Sequence, residues 1–322
     1  MDLNYLKQKF YLWVEDYLFF PNTLQKIISF LLLPLTLLYM LIIAFKRMNA
    51  KVVDFGIPVI SIGNIIVGGS GKTPLTIYLA KKYKNVCVIL RGYGRESKGL
   101  LVVSNKGEIQ IEDVLQTGDE AMLLANSLPN STVIVSENRK EAIQKAKELR
   151  CELVLLDDGF SKYDIFKFDI LIRPKEEPTN IFCLPSGGYR EPKISYAYAN
   201  LELQEGKDFK RIVSFSKDGE YVDILPLKLL LLTAISKPKR LLEFLPKDTK
   251  LLAFEDHHSF TQEEIENIKI TFKDYKIITT EKDFVKLKKF DIEDVYLMNL
   301  DLHLESPDKL ESLDGFINRY KN

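Results

Sequence analysis

Residues 62–74 read IGNIIVGGSGKTP and match a phosphate-binding loop that lacks one residue of the usual pattern. That pattern is Gly, any four residues, then Gly-Lys-Ser/Thr. The segment 71–73 fits it, but Ile66 occupies the leading glycine position. Gly68 and Gly69 still keep the turn free of Cβ atoms, so only the entry to the turn is altered. The sequence therefore predicts a loop that cradles phosphate.

The flanks of the loop support this interpretation. An apolar strand, PVISIG, leads into it, and a helix is predicted to begin near Pro74, where proline's missing N–H costs nothing. A strand, a glycine-rich turn and a helix N-terminus together direct backbone N–H groups at an anion. A purely structural turn leaves the Lys-Thr pair unexplained. The predicted nucleotide-binding residues are Gly68, Gly69, Ser70, Gly71, Lys72, Thr73 and Pro74.

Short β-rich runs alternate with helical ones from about residue 50 onward. Near-continuous apolar strands separated by helices are typical of a parallel sheet covered on both faces. The expected fold is α/β: a P-loop NTPase-like parallel sheet flanked by helices, a second, smaller α/β lobe, and an N-terminal apolar membrane helix. We expect a membrane-associating segment over residues 1–50, a P-loop kinase core over 51–205 and the smaller lobe over 206–322.

The composition is that of an ordinary folded protein. Apolar residues make up 46% of the 322 residues, Lys+Arg and Asp+Glu number 45 each, and the formal net charge is zero. Without a basic excess, no nucleic-acid partner is expected. Cys87, Cys151 and Cys183 are far apart and lack metal-ligand spacing, which indicates buried free thiols in a reducing compartment.

The N-terminal region contains a long uncharged apolar run over residues 27–45. As one helix it would measure about 28 Å, close to the hydrocarbon thickness of a bilayer. Lys46, Arg47 and Lys51 follow, as is typical of a cytoplasmic flank. The aromatic-rich stretch KFYLWVEDYLFF before it is typical of a membrane interface. A spanning helix, an interfacial helix and a buried core helix remain alternatives, and Pro34 argues against a straight span.

A pair of acids ends the apolar run in ELVLLDDGF. Asp157 and Asp158 are expected at the carboxyl edge of the parallel sheet, beside the phosphate loop, where such NTPases hold Mg²⁺. Turn chemistry is the alternative for an Asp pair at a strand end. The nearest match to a guanine-recognition motif, SKYD, directly follows the pair and is wrongly placed, so ATP is the predicted nucleotide.

Three other places carry candidate groups for a phosphate acceptor. Asp119 lies in QTGDEAMLLA, where Thr117 and Glu120 have the spacing of a helix capping box, so a first-turn acid is the alternative. The cluster 256–258, Asp-His-His, could remove a proton from an alcohol or could be a polar loop. Arg190 in GGYREP could grip a phosphate through two parallel hydrogen bonds.

Taken together, these stretches resemble the tetraacyldisaccharide 4′-kinase family of lipid A biosynthesis. The matching segments, in order from residue 63 to 287, are GNIIVGGSGKTP, LRGYGR, TGDEAMLLA, LLDDGF, LPSGGYREP, DHHSFT and TTEKDFVKL. That family also lacks the leading loop glycine and has an apolar N-terminal segment. This chain departs from it at Ser161-Lys162, usually Gln-His, at Gly188-Tyr189, usually Pro-Leu, and at Ala121, usually proline. These departures affect the acceptor pocket rather than the phosphoryl chemistry.

The resemblance implies transfer of the γ-phosphoryl of ATP to the 4′-hydroxyl of an acylated glucosamine disaccharide 1-phosphate, giving a lipid A precursor. It further implies Mg²⁺ as cofactor, a bilayer as partner, the cytoplasmic face of a bacterial inner membrane as location, and a monomer. The implied catalytic residues are Asp119 as base, His257 assisting it, Lys72 and Arg190. The implied metal ligands are Thr73, Asp157 and Asp158. The implied substrate-binding residues are Asn64, Tyr93, Glu120, Arg139, Arg190 and Glu191.

Two other function classes are compatible with the phosphate loop. A membrane-attached P-loop ATPase would hydrolyse ATP without a lipid acceptor, and a nucleotide-binding module would bind ATP without turning it over. The acidic and histidine-rich groups of the second lobe argue against both.

Overall fold

The computed structural model describes residues 10, 13–68, 71–235, 238–256 and 258–320. Its larger sheet has eight strands in the order β4-β3-β5-β2-β6-β1-β7-β8. All neighbours are parallel except the pairs β3–β5 and β3–β4. The strands are β1 (Val59–Gly63), β2 (Val86–Leu90), β3 (Leu101–Asn105), β4 (Glu108–Ile109), β5 (Thr132–Val135), β6 (Leu153–Asp157), β7 (Phe168–Arg173) and β8 (Leu201–Gln204).

Helices cover both faces of this sheet. One face packs on Lys72–Lys82 and Asp119–Ser127, and the other packs on Arg139–Glu148. Alternate residues of β6 serve the two cores, and all its residues are buried. A strand buried on both faces must be apolar along its whole length, which is why the periodicity of the sequence predicts it. A short helix, Val114–Thr117, precedes the second of these helices.

The second sheet has six strands in the order β10-β9-β14-β13-β11-β12. β9 is antiparallel to β10 and β14, and the other neighbours are parallel. The strands are β9 (Phe209–Lys217), β10 (Glu220–Tyr221), β11 (Leu229–Thr233), β12 (Lys250–Ala253), β13 (Lys276–Thr280) and β14 (Tyr296–Leu304). The helices are Gln262–Thr271, Glu281–Leu287 and Glu311–Asn318, and the 3₁₀ helices are Lys193–Tyr198, Pro238–Phe244 and Pro307–Leu310.

The last helix returns to the first sheet. Leu313, Phe316 and Ile317 are buried in the same core as Ile60 of β1. The α/β fold class is confirmed, and the two sheets follow each other along the chain with Gln204 ending the first. The domain boundaries at residues 50 and 205 stay predictions.

The N-terminal apolar run forms two helices rather than the single membrane helix predicted from the sequence. They are Thr23–Leu31 and Leu33–Met48, and they meet at an angle of 57°. Pro34, in the first turn of the second helix, lacks the N–H that a continuous helix needs there. Among the described residues no single helix is long and apolar enough to cross a membrane, whereas this bent pair meets the criterion when taken together.

Polar side chains that are buried or half-buried attach this helix pair to the loop around residues 180–191. Thr36 Oγ1 lies 2.7 Å from Ser186 Oγ, accepts from the Ser186 backbone N–H and lies 3.2 Å from the Cys183 carbonyl oxygen. Tyr39 donates to the Arg190 carbonyl oxygen at 2.8 Å. Arg47 pairs with Glu191 at 2.7 Å.

The predicted burial of the three free cysteines is confirmed.

The outer face of the helix pair remains apolar and exposed. Leu31, Leu38, Leu41 and Phe45 each expose more than half of their surface, up to 74% for Leu31. An exposed apolar patch of this kind marks a surface that meets another apolar phase or partner.

We expect Thr36→Val to weaken attachment of the helix pair. The change keeps the side-chain shape but leaves the buried Ser186 amide without its acceptor, which costs about 1–3 kcal/mol. Denaturant unfolding monitored through Trp13 fluorescence measures this cost. Thr23→Val, at an exposed position of the first helix, is the matched control. Equal unfolding midpoints for the two variants would contradict the assignment.

Candidate active site

The phosphate loop and the acidic pair meet at one edge of the first sheet. β1 and β6 are adjacent and parallel, with Ile62 opposite Asp157. Because parallel strands end at the same edge, the loop after β1 and the acids that end β6 are neighbours. The structure thus brings together two motifs that are far apart in the sequence, since Asp157 lies 85 residues after Lys72.

The loop opens into the helix Lys72–Lys82, two residues earlier than predicted. Gly71 precedes it with φ 78°, a left-handed conformation that glycine adopts without strain. Pro74 is buried in the first turn. The predicted Gly69 and Ser70 lie outside the described residues.

Ile66 explains the altered entry to the loop. It is buried, forms an antiparallel bridge with Tyr189 and packs in the same apolar cluster. The next residue, Val67, donates its N–H to the Gly188 carbonyl oxygen at 2.9 Å. Ile66, which replaces the first glycine of the usual phosphate-loop pattern, therefore packs against the loop that carries Arg190.

Lys72 is held by two polar groups at this edge. Its Nζ lies 3.3 Å from Asn64 Oδ1 and 3.7 Å from Asp158 Oδ1. Asn64 is buried and donates its own amide to the Ile66 carbonyl oxygen at 2.7 Å. Asn64, predicted to bind substrate, thus orients the loop lysine.

Arg190 closes a network around the acidic pair. Its guanidinium donates to both oxygens of Asp158, at 2.7 and 2.8 Å, and also to the carbonyl and side-chain oxygens of Asn64. Burial by itself raises the pKa of Asp158, but the hydrogen bonds from Arg190 and the charge of Lys72 outweigh it and lower that pKa to about 2. Asp158 is therefore fully ionised and already paired.

Asp157 has a different environment. It is buried, and its Oδ1 has no hydrogen-bond partner in the described part of the chain. Burial, reinforced by the charge of Glu120, raises its pKa to about 7. A buried carboxylate oxygen without a donor is an open ligand position.

Arg139 contacts the backbone at the carboxyl ends of two strands, β5 and β6. It is buried, and its guanidinium donates to the backbone carbonyl oxygens of Ser136 and Asp157 at 2.6 and 3.1 Å. Burial lowers its pKa to about 10. These contacts make it a structural support for β6, and its predicted contact with substrate stays a prediction.

Asp119 begins the helix Asp119–Ser127, but the predicted capping box is wrong. The N-cap is Gly118 with no side-chain cap, and Thr117 Oγ1 donates to the Asp113 carbonyl oxygen instead. Asp119 is 5% exposed, and its Oδ1 accepts the Glu120 N–H at 2.8 Å. Asp119 is a first-turn acid of this helix, as the alternative explanation has it, and its catalytic role stays a prediction.

The acidic and histidine cluster of the second lobe lies after β12. Asp256 is 3.4 Å from the Lys282 ammonium. His258 faces Glu264 at 3.1 Å and stacks on Phe254, so its imidazole is engaged locally. His257 lies outside the described residues. Within the described ranges, no group of three or more His, Cys, Asp or Glu side chains could hold a metal ion.

A cavity of about 730 Å³ opens beside this site. It extends from Asp158 and Arg190 to the second N-terminal helix, where Tyr39, Ile42 and Lys46 line it. The other lining residues include Lys51, Lys140, Lys162, Tyr163 and Glu191. Glu191, predicted to bind substrate, is buried and paired with Arg47 and the Tyr163 hydroxyl. Tyr93 is 52% exposed and accepts from Arg91 at 3.1 Å.

Three cationic residues at this site were not predicted. Lys282 and Lys286, from the second lobe, approach Asp119, and Arg211 of β9 lies next to Gly71 of the phosphate loop. A Cβ on Gly71 would lie 3.1 Å from the Arg211 guanidinium. The two lysines belong to TTEKDFVKL, a segment of the family resemblance, whereas no pattern in the sequence singles out Arg211.

Comparisons with known proteins agree with this geometry. The family model described as tetraacyldisaccharide-1-P 4′-kinase matches residues 28–318. A tetraacyldisaccharide 4′-kinase of Aliarcobacter butzleri is 63% identical over 316 residues, covering 98% of this chain and 100% of that protein. One from Helicobacter pylori strain 26695 is 44% identical, covering 96% of each chain.

A solved structure extends the likeness to the fold. It is the "apo" form of LpxK from Aquifex aeolicus in complex with ATP, with a TM-score of 0.71 and 30% identity over 91% of this chain and 99% of that one. With the family model matched over most of its length, the chain belongs to the tetraacyldisaccharide-1-P 4′-kinase family.

Proposed function

We propose that this protein transfers the γ-phosphoryl of ATP to the 4′-hydroxyl of an acylated glucosamine disaccharide 1-phosphate, yielding a lipid A precursor. The observation that carries the proposal is the cavity that runs from Asn64 and Asp158, the two residues that hold Lys72, to the apolar N-terminal helix. One end offers Asn64, Asp158 and Arg190 beside the phosphate loop, and the other end offers an apolar surface for acyl chains. A single acceptor with a sugar headgroup and acyl chains fits both ends.

The phosphate end suits ATP. The ammonium of Lys72 and the helix N-terminus at Gly71 stabilise the negative charge of the β- and γ-phosphates. Phosphoryl transfer depends mainly on positioning and charge stabilisation, because little covalent chemistry is left to the protein. Arg190, already next to Lys72 through Asp158, can stabilise the charge that develops on the transferred group.

The acidic pair fits Mg²⁺. The unpartnered buried oxygen of Asp157 and the hydroxyl of Thr73 are hard oxygen ligands at the end of the phosphate loop. When bound, Mg²⁺ would neutralise phosphate charge. Asp158, saturated by Arg190, would have to exchange that partner to become a direct ligand, so we assign Asp157 as the direct ligand and Asp158 as the residue that orients Lys72 and Arg190.

We assign Asp119 as the general base that accepts the proton of the 4′-hydroxyl, with His257 assisting it. A carboxylate near two lysines remains ionised and able to accept a proton at neutral pH. Arg190 then acts on the transferred group and Asp119 on the attacking oxygen.

The acceptor's location sets where the enzyme must work. An acylated disaccharide stays in a bilayer, so we propose that the exposed face of the N-terminal helix pair inserts among lipids at the cytoplasmic face of the bacterial inner membrane. Lys46, Lys51 and Lys162 line the cavity there and suit the 1-phosphate of the acceptor. Each monomer supplies a complete site by this account.

Label transfer tests the proposed function. Purified protein is incubated with γ-labelled ATP, Mg²⁺ and detergent-dispersed disaccharide 1-phosphate, and label is followed into the lipid phase and mapped on the sugar. We expect label on the 4′-oxygen. Label released only as inorganic phosphate, with or without lipid, would support a membrane-attached ATPase instead.

Two active-site variants are expected to differ in their effects on turnover and on ATP affinity. Asp119→Ala is expected to lower kcat by about 10²–10⁴-fold while ATP affinity stays within about twofold, because a general base acts only in the transition state. Lys72→Ala is expected to weaken ATP binding as well. Nucleotide titration and initial rates measure both quantities, and unchanged turnover of Asp119→Ala would contradict the base assignment.

Asp157→Asn is expected to stabilise the nucleotide-free protein in a pH-dependent way. Because the folded-state pKa is raised to about 7, the protonated carboxyl favours folding at low pH, and this contribution is lost as pH rises through about 7. Asparagine avoids that loss. The melting temperature of the variant should therefore exceed that of wild type at pH 8, by a margin that shrinks toward pH 5, while kinase activity is lost. A margin independent of pH would contradict the burial argument.

Membrane attachment has its own test. Replacing Leu38, Leu41 and Phe45 together by glutamine is expected to reduce flotation with anionic lipid vesicles by at least about tenfold, since burying each apolar side chain contributes roughly 1.5–3 kcal/mol. The control replaces by glutamine Ile224 and Leu227, which are even more exposed apolar residues, at 86% and 90%, in the second lobe. Equal loss in both variants would argue against a specific membrane face.

A further inference from the structure

Two lysines cross from the second lobe to the acid that begins the helix Asp119–Ser127. Both lie on the helix Glu281–Leu287, one turn apart. Lys282 Nζ is 3.8 Å from Asp119 Oδ2, and Lys286 Nζ is 3.6 Å from the same oxygen. A carboxylate that is 4% exposed thus faces two ammonium groups supplied by the other lobe.

Lys286 is a buried residue with specific packing contacts. Its side chain is 6% exposed and lies over the ring of Phe260, with 5.6 Å between Nζ and the ring centre. A buried ammonium is costly unless charges and dipoles compensate it. Its nearest acid is Asp283 at 2.9 Å, which is itself fully buried.

Asp283 is in turn fixed by the second sheet. Its Oδ2 accepts from the Thr233 hydroxyl at 2.7 Å, from the Ala234 N–H at 3.1 Å and from the Thr280 hydroxyl at 2.9 Å. These bonds connect the ends of β11 and β13 to Lys286. The buried ammonium therefore lies between Asp119 and the other oxygen of Asp283, Oδ1, and the position of Asp283 is fixed by these bonds.

Lys282 forms ion pairs with the other acids near Asp119. It lies 3.3 Å from Glu120 and 3.4 Å from Asp256. Burial by itself lowers its pKa, but the charges of Glu120, Asp119 and Asp256 outweigh it, so the pKa is raised. Lys282 thus remains charged and partly committed to Glu120 and Asp256, which leaves Lys286 as the cation dedicated to Asp119 and Asp283.

We propose that Lys286 is a positioning residue for phosphoryl transfer, holding the Asp119 carboxylate ionised and oriented from the second lobe. The inference rests on the proposed role of Asp119 as base. The second lobe then does more than enclose the site, because the first lobe's base is set only when the helix Glu281–Leu287 is docked on it. The charged groups that face Asp119 include Glu120, Lys282 and Lys286, and the two lysines also contact Asp256 and Asp283.

The test compares Lys286→Met, Lys286→Arg and the exposed control Lys289→Met in the full chain. We expect Lys286→Met to lower kcat at pH 7 by at least about tenfold, within the range that general-base catalysis contributes, with ATP affinity unchanged. Its acid limb in the kcat–pH profile should move to higher pH, since a carboxylate without its cation protonates more readily. Lys286→Arg should recover most of the activity, and the control should match wild type.

A double-mutant comparison separates this inference from the proposed function. In an Asp119→Asn background, Lys286→Met should cause little further loss, because the group on which it acts is gone. Label transfer by wild type with an unshifted pH profile in Lys286→Met would overturn the inference and leave the kinase assignment intact. No label transfer by wild type would overturn the kinase assignment itself. Should Lys286→Met fail to fold, Lys286→Gln removes the same charge with a polar side chain, and an unshifted profile there also counts against the inference.

Discussion

The pairing of Arg190 with Asp158 is the interaction on which the site depends. It joins the end of β6 to the loop 183–191, and the same guanidinium reaches Asn64 at the end of β1. Asn64 and Asp158 in turn hold Lys72. Through the backbone of the same loop, Tyr39 and Thr36 fix the N-terminal helix pair. One half-buried ion pair therefore links the phosphate loop to the loop that holds the apolar helix.

This arrangement gives two neighbouring acids different roles. Asp158 is paired and strongly acidic, whereas Asp157 is desolvated and lacks a donor on one oxygen. Adjacent residues can differ this much because Asp157 is the last residue of β6, whereas Asp158 follows it with φ 55°, so the backbone leaves the extended conformation between them. One acid organises cations, and the other is left open for a ligand.

The sequence predicts most of the first sheet because strands buried on both faces must be apolar throughout. It also places the loop after β1 next to the acids of β6, since parallel strands share an edge. It fails at the N-terminal run, where Pro34 divides one apolar segment into two helices. It also fails at Thr117, whose capping spacing is not used.

The cations from the second lobe were beyond sequence reasoning for a different reason. Lys282 and Lys286 lie more than 160 residues from Asp119, and only the docking of one lobe on the other brings them close. Periodicity reports local structure and burial, but it carries no information on which charged helix faces which acid. The same holds for Arg211, whose contact with Gly71 depends on the path of β9.

A crystal structure with a non-hydrolysable ATP analogue, Mg²⁺ and the acylated disaccharide 1-phosphate tests the central claim most directly. The account predicts the sugar in the cavity between Arg190 and the second N-terminal helix, with its 4′-oxygen between Asp119 and the terminal phosphate and with Asp157 on the metal. An acceptor bound elsewhere, with its 4′-oxygen remote from Asp119, would contradict it.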